Sequence, residues 1–73
     1  NYGRVSLHLF KGHEVYLDGI LIEDDVKEEP LRLENGTHKL VVRADGTNQE
    51  VELVVHGQDT MPTVEDGVLR AAP

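Results

Sequence analysis

The 73-residue chain contains no cysteine and no tryptophan, a single phenylalanine and a single serine, and basic residues are scarce beside acidic ones. Without cysteine there is no disulfide staple and no thiolate zinc site, although this leaves the redox compartment open. The lone serine, Ser6, sits inside an alternating apolar stretch and lacks the sharp turn that exposes a nucleophile. No apolar run approaches the ~18 residues of a membrane-spanning helix, so no membrane span is expected within this stretch. Seven lysines and arginines against fourteen aspartates and glutamates give a formal net charge of −7, and no basic cluster reverses it locally. Such a surface repels a phosphate backbone, which excludes nucleic acid as an expected partner.

Size sets a further bound. A chain of this length buries only roughly 60% of its unfolded surface and leaves a net stability of about 3–5 kcal/mol. One small domain is expected, with too little margin for a large, strained and dry active site; no enzymatic activity and no cofactor are expected. The first residue is Asn1 rather than methionine, which reads as an excised domain or a processed product. A leader peptide or anchor would then lie outside the stretch.

What is present is a rhythm of turns. Asp18-Gly19, Asn35-Gly36 and Asp45-Gly46 each interrupt apolar alternation, and Asn or Asp before Gly suits the positive φ of a two-residue hairpin turn. Val5, Leu7 and Leu9 alternate with Ser6 and His8, predicting a first strand before the Lys11-Gly12-His13 break. Across Asp18-Gly19, Leu17 pairs with Ile20 and Val15 with Ile22. Across Asn35-Gly36, Leu33 meets His38 and Leu31 meets Leu40; across Asp45-Gly46, Leu40 meets Val51, His38 meets Leu53 and Lys39 meets Glu52. These registers predict a meander from Leu31 to Val55, with Val15, Leu17, Ile20, Ile22, Leu31, Leu33, Leu40, Val51 and Leu53 on one buried face. Met61 to Val64 reads as a last strand. Residues 65–73 show no clear alternation and read as a tail or linker after a domain spanning residues 1–64, with Val68 and Leu69 the two residues in it able to dock. The fold class expected is all-β: a small antiparallel β-sandwich of about seven short strands.

From about Gly3 to Val64 the order of features resembles the PEGA domain family of small immunoglobulin-like β-sandwich modules. The resemblance rests on Val5-Ser6-Leu7-His8-Leu9, on Val15-Tyr16-Leu17-Asp18-Gly19, on Pro30-Leu31-Arg32-Leu33, on Gly36-Thr37-His38-Lys39-Leu40-Val41-Val42, and on Val51-Glu52-Leu53-Val54-Val55. His13 stands where that pattern has a small residue, and the acidic segment Glu23–Glu29 replaces a shorter connection. The resemblance implies an accessory module of a larger bacterial protein, located outside the cytoplasm in the cell envelope or secreted, with no catalytic residues to carry over. Its partners would be neighbouring domains of the parent protein or another protein.

His8, His13, His38 and His56 lie in separate strands and turns, without the short spacing of a zinc motif, and His38 reads as a capped histidine at the core edge. Glu23, Asp24 and Asp25 offer oxygens for calcium but are adjacent rather than alternating, so a solvated loop is the plainer reading. Phe10 and Tyr16 flank the Lys11-Gly12-His13 turn and form the candidate ligand patch, an aromatic surface for envelope polysaccharide. Asn35-Gly36-Thr37 matches a glycan acceptor, yet Asn-Gly is what a hairpin turn itself requires. The leading expectation is a non-catalytic spacer or protein-interaction module. The alternatives are a carbohydrate- or calcium-binding module, and a regulatory sensor domain of a membrane-anchored protein.

Overall fold

The computed structural model describes residues 1–71 and is an all-β structure. Its strands are β1 (Tyr2–Val5), β2 (Glu14–Leu17), β3 (Ile20–Leu21), β4 (Leu31–Glu34), β5 (Gly36–Ala44), β6 (Thr47–Val55), β7 (Asp59–Thr60), β8 (Thr63–Glu65) and β9 (Val68–Arg70). They form a three-stranded sheet in the order β4-β1-β7, a four-stranded sheet in the order β3-β2-β5-β6, and the β8-β9 hairpin. Short strands exceed the seven or so expected. One pairing, β1 with β7, is parallel, so the smaller sheet is mixed.

Both larger sheets contribute to a single core. Val5 comes from one sheet, and Val15, Leu17, Leu40, Val42, Leu53 and Val55 come from the other; Leu7, Phe10 and Leu69 complete it. Ile22, Leu31, Leu33 and Val51 pack against its margin, as the shared-face reading anticipated. Ile20 does not: it is 66% exposed, on the two-residue edge strand β3.

Two of the three proposed hairpins form in the expected register. Leu17 pairs with Ile20 across Asp18-Gly19, and the Ile22 N–H donates to the Val15 carbonyl at 2.8 Å. Across Asp45-Gly46, Leu40 pairs with Val51, Lys39 with Glu52 and His38 with Leu53. The third differs. Asn35-Gly36 is a corner between sheets: β4 pairs with β1, Leu31 opposite Val5, while β5 pairs with β2 and β6. Alternation specifies which face a residue occupies but not which strand lies beside it, and Leu31 and Leu33 match β1 as well as β5. The Asn35 N–H donates instead to the Asn1 carbonyl at 3.0 Å.

The hairpin that takes its place is Asp66-Gly67. Asp18, Asp45 and Asp66 all adopt positive φ, 51°, 53° and 52°, and the glycine after each does too. Positive φ at both central residues is the type I′ turn, whose twist matches that of the flanking strands. The stretch expected as a tail therefore contains β9, and Leu69 is buried at 7% exposure; the last two residues of that expectation, Ala72 and Pro73, lie outside the described ones. The expected first strand also ends early. After Val5 the chain turns through a 3₁₀ segment, His8–Phe10, which exposes Leu9 and buries Phe10.

Candidate functional site

Three places concentrate polar chemistry: the acidic connection around Lys27, the Asp18 turn around His38, and the outer face and free edge of the four-stranded sheet.

The acidic connection is organised from within by Lys27, a residue the charge pattern alone did not single out. Its side chain is 2% exposed, and its ammonium donates to the Phe10 carbonyl (3.3 Å), the His13 carbonyl (2.6 Å) and Asp24 Oδ1 (2.6 Å). Three donors meet three acceptors, which is the condition for burying an ammonium at tolerable cost. Asp24 in turn receives the Gly12 N–H on both oxygens at 3.1 Å. The Lys27 bond, followed by the Gly12 N–H, holds the Asp24 carboxyl below its usual range. Beside it, Lys11 and Glu28 pair at 2.7 Å. The segment considered for calcium is thus a strap that fastens Lys27 under the Lys11-Gly12-His13 turn. Glu23 and Asp25 lie exposed on that strap.

His38, on β5, is tethered at both ring nitrogens. Nδ1 lies 2.6 Å from Asp18 Oδ2 and Nε2 lies 2.7 Å from the Glu34 carbonyl. A carboxylate and a carbonyl are both acceptors, so the two contacts favour the doubly protonated ring. The bond to Asp18, then the bond to Glu34, raise the His38 pKa, while His38 and the Lys39 N–H lower that of Asp18. His8, His13 and His56 are exposed, and among the described residues no three histidine or carboxylate side chains come together as a metal site.

The aromatic pair separates. Phe10 is 3% exposed and belongs to the core, because the 3₁₀ turn rotates it inward. It cannot form an exposed platform, which corrects that part of the candidate ligand patch. Tyr16 does lie on the outer face, half-buried, with its hydroxyl 2.8 Å from Glu14 Oε1. Tyr16, Asp18, Gly19, Lys39 and Val41 line a shallow open depression of about 550 Å³.

The outer face continues onto β6 through Asn48, Glu50, Glu52 and Val54, all exposed. Lys39 stands opposite Glu52 in register yet pairs diagonally with Glu50 at 3.1 Å, leaving Glu52 without an ion pair among the described residues. In the plane of the sheet, β6 is an edge. Alternation across the two-residue turn directs the backbone groups of Thr47, Gln49, Val51 and Leu53 toward β5, and those of Asn48, Glu50, Glu52 and Val54 away from it. The Val54 carbonyl is taken by Gln58 Nε2 at 3.0 Å. The backbone groups of Asn48, Glu50 and Glu52 have no protein partner among the described residues.

Among the described residues no helix is long and apolar enough to cross a membrane. Compared with protein-family models, curated proteins and solved structures, the chain matches none of them.

Proposed function

We propose that this chain is a non-catalytic accessory β-sandwich module of a larger extracytoplasmic protein and that it works by protein–protein interaction. The observation that carries the reading is the nine-residue edge strand β6, packed on the core, whose outward backbone groups at Asn48, Glu50 and Glu52 have no protein partner among the described residues. An exposed edge offers main-chain hydrogen bonds to an extended partner, and neighbouring side chains supply the selection. The polar side chains that could otherwise have supported chemistry are occupied structurally: Lys27 and Asp24 fasten a connection, and His38 and Asp18 fasten a turn. Placement outside the cytoplasm rests on the resemblance of the residue order to PEGA domains, which are immunoglobulin-like modules of larger envelope proteins.

The test is titration of the isotope-labelled chain with millimolar calcium and with cell-wall oligosaccharides, following amide shifts and melting temperature. This reading expects neither ligand to shift the transition or the spectrum. A saturable response at Tyr16, or at Glu23, Asp24 and Asp25, would replace it with the ligand-binding alternative.

A further inference from the structure

The structure has several sheet edges, and they are not equal. β3 and β7 are two residues long and β4 is four, whereas β6 runs for nine. Long unpaired edges invite association with further copies unless something opposes it. On β6 that opposition is Glu50 and Glu52, which share a face two residues apart. An antiparallel pairing of β6 with a second β6 centred on Glu50, Val51 or Glu52 places at least one glutamate directly opposite another. Like charges in that position are destabilising. The same two carboxylates would favour a strand of opposite charge. Lys39 neutralises Glu50 alone, so the rim keeps surplus negative charge, within a chain of net charge −7.

The edge also has defined ends. Gln58 closes it at Val54, accepting the His56 N–H at 2.7 Å through its side-chain oxygen while donating to the Val54 carbonyl. At the other end lies the Asp45-Gly46 turn. On the inner side the β8-β9 hairpin is tied to Gln49, whose amide donates to the Gly67 carbonyl (2.7 Å) and accepts the Leu69 N–H (2.9 Å). These contacts leave the outward in-plane groups of Asn48, Glu50 and Glu52 open among the described residues. Half-buried Val51 lies between the two glutamates on the opposite, core-facing side.

We propose that β6 is a docking edge for an extended segment of another protein or domain that carries lysine or arginine at alternate positions with apolar residues between them. Its main chain hydrogen-bonds Asn48, Glu50 and Glu52. Its basic side chains lie over Glu50 and Glu52, and its apolar ones extend the core margin beside Val51. Charge complementarity selects this occupant over a second copy of the chain. The inference rests on the interaction-module reading and specifies the surface and the partner's chemistry.

The experiment uses a blocked synthetic peptide with a Lys-Val-Lys-Val-Lys centre, a peptide of the same composition with its lysines contiguous, and a Glu-Val-Glu-Val-Glu peptide. Binding is followed by amide shifts and hydrogen exchange. The alternating basic peptide should bind saturably and slow exchange at Asn48, Glu50 and Glu52, and its affinity should fall with added salt. Glu50→Gln combined with Glu52→Gln should weaken it about tenfold, the scale of two exposed opposite-charge pairs. Glu50→Pro removes one free N–H without touching the β5–β6 ladder, and should weaken binding while the spectrum stays that of the folded chain. If that variant unfolds, the double glutamine variant decides the matter. Absence of binding at millimolar peptide, equal binding of the contiguous peptide, or dimerisation of the chain through β6 overturns the inference. Protection mapping to another face overturns it too, but leaves the interaction-module reading standing; only the calcium or oligosaccharide response described above removes that reading.

Discussion

The carboxylate of Asp18 lies 2.6 Å from Nδ1 of His38, across the gap between the β2–β3 turn and β5. Asp18 has a second role, accepting the Lys39 N–H at 2.9 Å through its other oxygen, so one side chain both occupies a type I′ turn and anchors that turn to the neighbouring strand. Glu34 adds the chain's corner between sheets to the same knot.

This knot makes stability depend on pH. The folded-state pKa of His38 is raised above its ordinary 6.5, so its contribution is complete below pH 6.5 and is lost as pH rises through the raised value. Asp18 is lowered from 3.8, so its contribution is complete above pH 3.8 and is lost as pH falls through the lowered value. The pair therefore contributes fully between these ordinary values and weakens on both flanks. Melting temperatures measured from pH 5 to pH 9 should decline on the alkaline side for the parent chain. In His38→Gln that decline should flatten. An alkaline decline of equal size in both proteins would assign it to other groups.

Lys27 should be among the least replaceable polar residues. Lys27→Met keeps the buried stem but removes the ammonium, leaving the Phe10 and His13 carbonyls without their donor; the expected loss is about 1–3 kcal/mol. Lys27→Ala also opens a cavity and should cost ~3–5 kcal/mol, comparable to the whole stability of a domain this small. Urea denaturation gives both numbers. Loss of well under a kilocalorie in Lys27→Met would show the three contacts to be dispensable.

How far these features could be read from the residues follows from what each depends on. The β5–β6 register was legible because a two-residue turn and period-two alternation determine it locally, and the Asp18 turn was legible for the same reason. The β4–β1 pairing was not, because it joins strands distant in sequence and an apolar alternation fits more than one neighbour. Asn35-Gly36 carried a turn signal at a corner, whereas Asp66-Gly67 carried the same signal in a short hairpin with little alternation around it. Phe10 moved from surface to core when a 3₁₀ turn changed the local period. Lys27 lay hidden in a run of acidic neighbours, where a lysine ordinarily reads as a solvated charge.

Gly3 marks a close approach that alternation does not reveal. A Cβ built there would sit 2.5 Å from Val55 Cγ1 and 2.8 Å from the Gln58 carbonyl oxygen. The second contact is backbone and cannot rotate away, so β1 would have to shift relative to the β6–β7 connection. Gly3→Ala should therefore destabilise by about 1–3 kcal/mol, the usual cost of forcing extra volume into a packed site. A chemical denaturation midpoint equal to that of the parent chain would show that β1 can move freely.

The β8-β9 hairpin offers the sharpest test of where the domain ends. Its hold on the rest of the chain comes from Leu69, buried against the core, and from the paired hydrogen bonds of Gln49 to Gly67 and Leu69. Leu69→Ala should cost ~2–4 kcal/mol, since it removes buried side-chain volume where the surrounding sheet can only partly collapse. Gln49→Ala leaves a buried-side N–H and a carbonyl unpaired and should cost about 1–2 kcal/mol. Glu65→Ala is the matched control, because its ion pair with Arg70 is mostly exposed and should change stability by less than about 0.5 kcal/mol. If Leu69→Ala and Gln49→Ala both behave like the control, residues 65–70 are an appended tail; if Leu69 and Gln49 stand apart from Glu65, the folded unit extends through β9.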